Sequence, residues 1–262
     1  MKIYTPSSSE LKRIGELVQH YLDHRDHFDR VLGQLKDHVV NDRDLMSHVH
    51  SVKWRTKDPE HLRDKLLRKL REARAERKSF KITNDNLFSK INDLAGFRIL
   101  HLHTRQMDQI NRALTRIFDE AIYRLIEGPI AKTWDDESRK YFESINIPTD
   151  RKKQNNLYTS VHYVIRPNLK TKSTCEIQVR TLADEIWGEV DHSINYPYKV
   201  DSIACHEQIQ VLARVTTGCS RLVDSIFKSY EERCQMNSPR ASRRFRKGRR
   251  RTKAPRRVRL PR

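Results

Sequence analysis

No stretch of this sequence approaches the roughly 20 consecutive apolar residues that a membrane-spanning helix needs. The opening residues, Met1 to Pro6, lack the apolar run of a secretory leader, so the cytosol is the expected compartment. Cysteine is scarce: Cys175, Cys205, Cys219 and Cys234 are the whole set, and none forms a CxxC pair. His206 adjoins Cys205, but no Cys/His group has zinc-ligand spacing, so free thiols in a reducing compartment are expected. No internal repeat is present, which excludes a solenoid. Acid is missing altogether between Pro239 and Arg262, where thirteen Lys or Arg stand.

What is present fits a mid-sized globular domain with extensions: 262 residues, 36% of them hydrophobic. Charged residues make up 33%, so much of the surface is solvated charge. The net charge is +19, of which residues 1–238 carry only +6. A mild excess of that kind suits a domain that binds polyphosphates. Residues 236–262 are a separate matter. Arg and Lys runs split by Pro239, Pro255 and Pro261 predict a disordered segment. Its functional reading is salt-sensitive electrostatic attachment to RNA, the ribosome included. Its plainer reading is a solubilising terminus. Phe245 is the only aromatic there, which leaves little for base stacking.

The periodicities predict an α/β protein. Residues 7–50 read as helical, first with Leu11, Ile14, Leu17, Val18 and Leu22, then with Phe28, Val31, Leu32, Leu35 and Val39 at helical spacing. Pro59 suits a first helical position, and Leu62, Leu66 and Leu70 stripe the basic helix that follows to Arg77. Leu94 to Leu102 is a strand candidate, Met107 to Phe118 a helix and Ala121 to Ile126 a strand. Residues 127–156 are polar and read as a long loop. Tyr158 to Arg166 and Thr174 to Val179 alternate as strands and suggest an antiparallel hairpin. Leu182 to Ile194 and Ser202 to Arg233 return to helix, with Gly218 a candidate break. Mixed helices and partly antiparallel strands imply a layered domain.

Within this framework some polar residues could carry chemistry. Glu176 and Gln178 share one strand face with Arg180, opposite Ile177 and Val179. Such a face meets either solvent or a site. Asp93 offers a second carboxylate at a strand start. Arg55, Lys57, Lys65 and Arg68 gather where a loop enters a helix, which is either a phosphate site or a solvated basic face. Tyr158 and His162, four apart on a strand, face one side. Phosphoryl transfer asks for such a set: carboxylates for a divalent ion, cations for phosphates and an acceptor for a hydroxyl proton.

The segments also occur in a telling order. Arg55-Thr56-Lys57-Asp58-Pro59-Glu60-His61-Leu62-Arg63-Asp64-Lys65-Leu66 resembles the R-x-K-S-x-E-S-hydrophobic-x-x-K-hydrophobic segment of the RelA/SpoT-type synthetase domain. Asp93-Leu94-Ala95-Gly96-Phe97-Arg98 is similar to its D-hydrophobic-x-G-x-R strand, and Tyr158-Thr159-Ser160-Val161-His162 to its Y-x-S-hydrophobic-H strand. Glu176-Ile177-Gln178-Val179-Arg180-Thr181 matches its E-hydrophobic-Q-hydrophobic-R-T strand, with Trp187 and His192 following in order. The resemblance spans residues 52–198. It implies a mixed β-sheet of the nucleotidyltransferase-like synthetase fold, flanked by helices, with helical N- and C-terminal extensions. The implied domains are residues 1–50, 51–200 for the synthetase, 201–235, and the basic tail 236–262.

The resemblance further implies a (p)ppGpp synthetase, or GTP diphosphokinase. It would move pyrophosphate from ATP to the 3′-hydroxyl of GDP or GTP in alarmone synthesis and the stringent response. Arg55 and Arg98 would sandwich adenine, and Lys57 and Lys65 would hold the ATP phosphates. Asp93 and Glu176 would bind Mg²⁺, with Glu176 also the base. Tyr158 would stack on the acceptor guanine, and His162, Lys152 and Lys153 would meet its phosphates. Gln178 would be a supporting contact. Homo-oligomers occur among small members.

Three departures stand out: His61 replaces a usual Ser, Leu157 a usual Gly, and Tyr196-Pro197-Tyr198-Lys199 alters the helix end. The sequence has no His-Asp dipeptide, so a synthesis-only member without the family's hydrolase is expected. Two other readings keep the fold. One is a toxin-type relative acting on an adenine nucleotide or a tRNA 3′ end. The other is a non-catalytic protein that binds RNA through its tail, against which both carboxylates count.

Overall fold

The computed structural model describes residues 4–150, 157–167, 172–195 and 200–237. Its centre is a five-stranded mixed sheet in the order β1-β2-β5-β4-β3. The strands are β1 (Ser51–Thr56), β2 (Ala95–His101), β3 (Arg124–Lys132), β4 (Ser160–Arg166) and β5 (Cys175–Thr181). β2 and β5 run parallel, and the other pairings are antiparallel, including the expected β4–β5 hairpin. Register fixes the faces. Arg55 lies opposite Gly96, Gly96 opposite Glu176, Arg98 opposite Gln178 and Gln178 opposite His162, so these groups share one face. Phe97, Ile99, Ile177, Val179, Val161 and Tyr163 alternate to the other face and are buried.

Helices flank the sheet, and the first seven bury side chains in the core under that apolar face. The helices are α1 (Ser8–Leu22), α2 (Arg25–Asn41), α3 (Arg43–Ser47), α4 (Pro59–Ala75), α5 (Leu87–Lys90), α6 (Met107–Glu120), α7 (Asp136–Ser144), α8 (Leu182–Asn195) and α9 (Ile203–Asn237). Phe28, Val31, Leu32 and Leu35 of α2 join Ile110, Leu114 and Ile117 of α6 in one core with the sheet. α1 starts with a capping box in which Ser7 and Glu10 satisfy each other's backbone N–H groups. It packs on α4, whose stripe of Leu62, Leu66 and Leu70 is fully buried. Asp58 caps α4 by accepting from the N–H groups of Glu60 and His61, and Pro59 follows as the first helical residue. The Tyr21 hydroxyl donates to the Lys57 carbonyl at 2.7 Å, which fastens α1 to the loop entering α4.

The structure differs from the sequence reading at four places. β1 is a strand that alternation does not reveal, because Lys53, Trp54 and Arg55 are exposed along a sheet edge. The expected loop at 127–156 holds the end of β3 and all of α7. α7 hides because it is short and polar, with Phe142 its one buried residue and Asp135 as its cap. β3 begins at Arg124 rather than Ala121 and bulges around Gly128. Gly128 has φ +99°, and a Cβ there would lie 2.3 Å from the His162 carbonyl, so both backbone and space demand glycine. α9 passes through Gly218 unbroken. The basic tail beyond Asn237 lies outside the described residues.

α8 and α9 pack together beside the sheet, and Trp187 donates its indole N–H to the Ile209 carbonyl at 3.1 Å. At the start of α8 Asp184 accepts from the Thr181 hydroxyl at 2.6 Å. Burial pushes the Asp184 carboxyl up from its ordinary 3.8 to about 6, against the lowering by Thr181. The folded chain therefore holds this proton more tightly than the unfolded chain. Its contribution is present below pH 3.8 and is lost as pH rises through about 6. Asp184→Asn should be more stable relative to wild type at pH 7 than at pH 4, by roughly 1–3 kcal/mol. Urea unfolding at the two pH values measures this, and an equal offset at both would contradict it.

Candidate active site

The polar sheet face opens into a cavity of about 340 Å³ lined by Lys53, Trp54, Arg55, Lys57, Asp93, Gly96, Phe97, Arg98, Glu176, Gln178 and Glu189. Asp93 sits in a short 3-10 turn, Asn92–Leu94, immediately before β2. Two bonds hold that turn: Thr174 donates to the Asn92 side chain at 3.0 Å, and the Lys57 N–H donates to the Leu94 carbonyl at 2.9 Å. The second bond brings Lys57 to Asp93. The Lys57 ammonium meets one carboxylate oxygen at 2.8 Å and Lys65, from α4, meets the other at 2.7 Å. Burial alone would raise the Asp93 carboxyl, but Lys65 and Lys57 outweigh it and hold it at about 2.

Glu176 projects from β5 into the same cavity. Its Oε1 accepts from His162 Nδ1 at 2.9 Å and its Oε2 from the Gln178 amide at 3.3 Å. Burial acts to raise its carboxyl, yet His162 brings it below the ordinary glutamate value. Burial in turn lowers His162. The pair is thus a neutral imidazole donating from Nδ1 to a carboxylate. The other ring nitrogen, Nε2, lies 3.2 Å from the Tyr158 hydroxyl, which also reaches Gln178 at 3.4 Å.

Arg98 enters the cavity from β2 and is held by α8. Its Nη1 donates to Glu185 at 2.7 Å and to Glu189 at 2.5 Å. Arg55 stands exposed on β1, opposite Gly96 and diagonal to Arg98, so the two guanidinium groups flank one stretch of the sheet face.

The structure therefore brings together Arg55, Lys57, Asp93, Arg98, Glu176 and Gln178 as lining, with Lys65 on Asp93 and His162 on Glu176. Tyr158 adjoins through its hydroxyl. Lys152, Lys153 and the altered segment 196–199 lie outside the described residues. Four participants escaped the sequence reading. Lys132, from the supposed loop, places its ammonium 3.5 Å from His162 Nδ1. Lys53 and Arg98 both pair with Glu185, and Glu189 is four residues further along α8. The acidic i,i+4 pair on the helix that follows Arg180 and Thr181 is the signal that could have found Glu185 and Glu189.

Residues 54–201 match the model of a family described as the region found in RelA and SpoT proteins. No curated protein matches the chain. Among solved structures, a GTP pyrophosphokinase family protein from Streptococcus pneumoniae is similar, at 22% identity and a TM-score of 0.59. The match covers 84% of this chain and 98% of that one. The small alarmone synthetase 1 from Bacillus subtilis bound to its product pppGpp is 19% identical over 84% of this chain and 98% of its own, with a TM-score of 0.52. The same enzyme bound to AMPCPP is 18% identical over 78% and 95%, with a TM-score of 0.50. At these identities the structures establish a shared fold: the mixed synthetase sheet flanked by helices, with helical regions at both ends.

Proposed function

The chain belongs to the RelA/SpoT family, and from that premise we propose that it is a (p)ppGpp synthetase working on ATP and GDP or GTP. The observation that carries the reading is the convergence of Asp93 and Glu176, both ionised, on one cavity with Arg55, Lys57 and Arg98. In the reaction the acceptor 3′-oxygen attacks the β-phosphorus of ATP. That O–P bond forms while the bond from the β-phosphorus to the α,β-bridging oxygen breaks, and AMP leaves. The hydroxyl proton passes to the Glu176 carboxylate, which His162 orients. Arg55 and Arg98 suit the two faces of adenine, and Lys57 and Lys65 suit its phosphates. Tyr158 offers an aromatic platform to the acceptor base.

Asp93 and Glu176 fit Mg²⁺, because hard carboxylate oxygens shared with substrate phosphates are its preferred donors. Among the described residues no group of three or more His, Cys, Asp and Glu could hold a metal without substrate. When bound, the ion supplies neutralisation of the charge that gathers on the transferred phosphates. Lys57 and Lys65 each pair with one of the Asp93 oxygens.

The test is an assay with Mg²⁺, ATP and a panel of GDP, GTP, adenine nucleotides and tRNA. A 3′-pyrophosphorylated guanine nucleotide is expected. Label appearing in tRNA or an adenine nucleotide instead would reassign the acceptor, and no transfer to anything would end the enzymatic reading. One variant sharpens the acid–base part. Lys132 helps keep Glu176 low, so Lys132→Ala should move the acid limb of kcat to higher pH. It should also cut kcat/KM about tenfold at neutral pH, near the 1.4 kcal/mol expected for one half-buried cation. An unshifted acid limb would remove Lys132 from the site.

A further inference from the structure

Arg180 is the penultimate residue of β5, and nothing in the transfer chemistry above gives it a task. Its side chain is 3% exposed and pairs through Nη2 with Glu185. Its Cζ lies 5.7 Å over the Tyr158 ring. Its Nη1 occupies the space that a side chain at position 188 would fill, since a Cβ on Gly188 would come within 2.5 Å of it. Glu185 is itself 7% exposed and also accepts from Arg98 at 2.7 Å and Lys53 at 2.9 Å. One buried carboxylate thus joins the cation stacked on Tyr158 to the cation that enters the nucleotide cavity.

Burying a guanidinium is unfavourable unless its partners are exact in placement, and an apolar side chain would fill the same volume at less cost. A planar fork held on two sides, however, fixes the plane of an aromatic ring against it. We propose that Arg180 and Glu185 form a positioning pair, which sets the Tyr158 ring for the acceptor base and Arg98 for the adenine at the same time. This rests on the synthetase reading above. Neither residue touches the reacting atoms. Glu185 acts on both nucleotides, through Arg98 and through Arg180, whereas Arg180 acts on the acceptor side through Tyr158.

The experiment compares Arg180→Met, Arg180→Lys, Glu185→Gln and the double variant Arg180→Met/Glu185→Gln with wild type. It reads KM for ATP, KM for the guanine acceptor, kcat and thermal unfolding. Arg180→Met should raise the acceptor KM about tenfold and the ATP KM by less than about threefold, with a smaller change in kcat. Arg180→Lys, which keeps the charge and loses the plane, should fall between Arg180→Met and wild type. Glu185→Gln should raise both KM values about tenfold, and the double variant should be within about twofold of it, because the two residues act in one chain. Equal changes in both KM values for Arg180→Met, or changes that follow the melting temperature across the series, would overturn the pair as a positioning device. Unmoved KM values in an active enzyme would do the same while leaving the synthetase reading intact. A wild-type protein inactive with every acceptor would instead sink that reading, and the pair with it.

Discussion

Glu176→Gln is expected to lower kcat by about 10³-fold while nucleotide binding persists, since a positioned general base contributes about 10²–10⁴-fold. The substitution keeps the shape and removes both the base and one anionic oxygen for the metal. His162 Nδ1 can still donate to the remaining carbonyl oxygen, so the local hydrogen bonding survives. The fold should hold, because Gln fills the same volume and keeps an oxygen for the His162 bond. Thermal unfolding within a few degrees of wild type, beside the collapse in turnover, is the combination to look for. The pH profile gives a second reading. Glu176 lies below its ordinary 4.5, so wild-type turnover should be level through neutral pH and fall only below that value. A variant that retained a tenth of wild-type turnover would move the base elsewhere.

Much of this site was legible because its chemistry coincides with strand alternation. Glu176 and Gln178 stand opposite Ile177 and Val179, and the register turns that alternation into a polar face beside Gly96 and Arg98. The helices were legible where they are amphipathic and long. The stripe of Leu62, Leu66 and Leu70 and the stripe of α2 are both fully part of the core. What stayed hidden has no apolar period to betray it. β1 is an edge strand whose Lys53 and Arg55 serve the cavity, so the residues that would signal a strand are replaced by site residues. Lys132 was lost because the bulge at Gly128 breaks the period of β3.

Partnership was harder to read than position. The resemblance gives Lys57 and Lys65 to phosphates, and in the structure each holds one oxygen of Asp93. The resemblance gives His162 to acceptor phosphate, and in the structure both of its ring nitrogens meet protein groups, Glu176 and Tyr158. Sequence order identifies which side chains converge. Which of them neutralise one another before substrate arrives depends on distances of under 3 Å between elements far apart in the chain.

Those same ion pairs give the other large expected effect. Asp93→Asn should lower kcat/KM by at least about 10³-fold at any Mg²⁺ concentration, because it removes a hard ligand and leaves two ammonium groups facing a neutral amide. It should also lower stability, by roughly 1–3 kcal/mol after allowance for partial exposure, since Asp93, Lys57 and Lys65 are 24%, 13% and 23% exposed. The sign with pH follows from the carboxyl held near 2. Wild type has this contribution in full above the ordinary 3.8 and loses it as pH falls through about 2. The gap between wild type and variant should therefore be constant at neutral pH and close in strong acid. Metal-free binding of ATP should run the other way. Two lysines released from Asp93 are free to meet phosphate, so the variant should bind ATP without Mg²⁺ at least as tightly as wild type does. Calorimetry with and without Mg²⁺ separates the two effects. If ATP without metal bound about tenfold more weakly to the variant, the lysines would be structural partners of Asp93 and not the phosphate clamp.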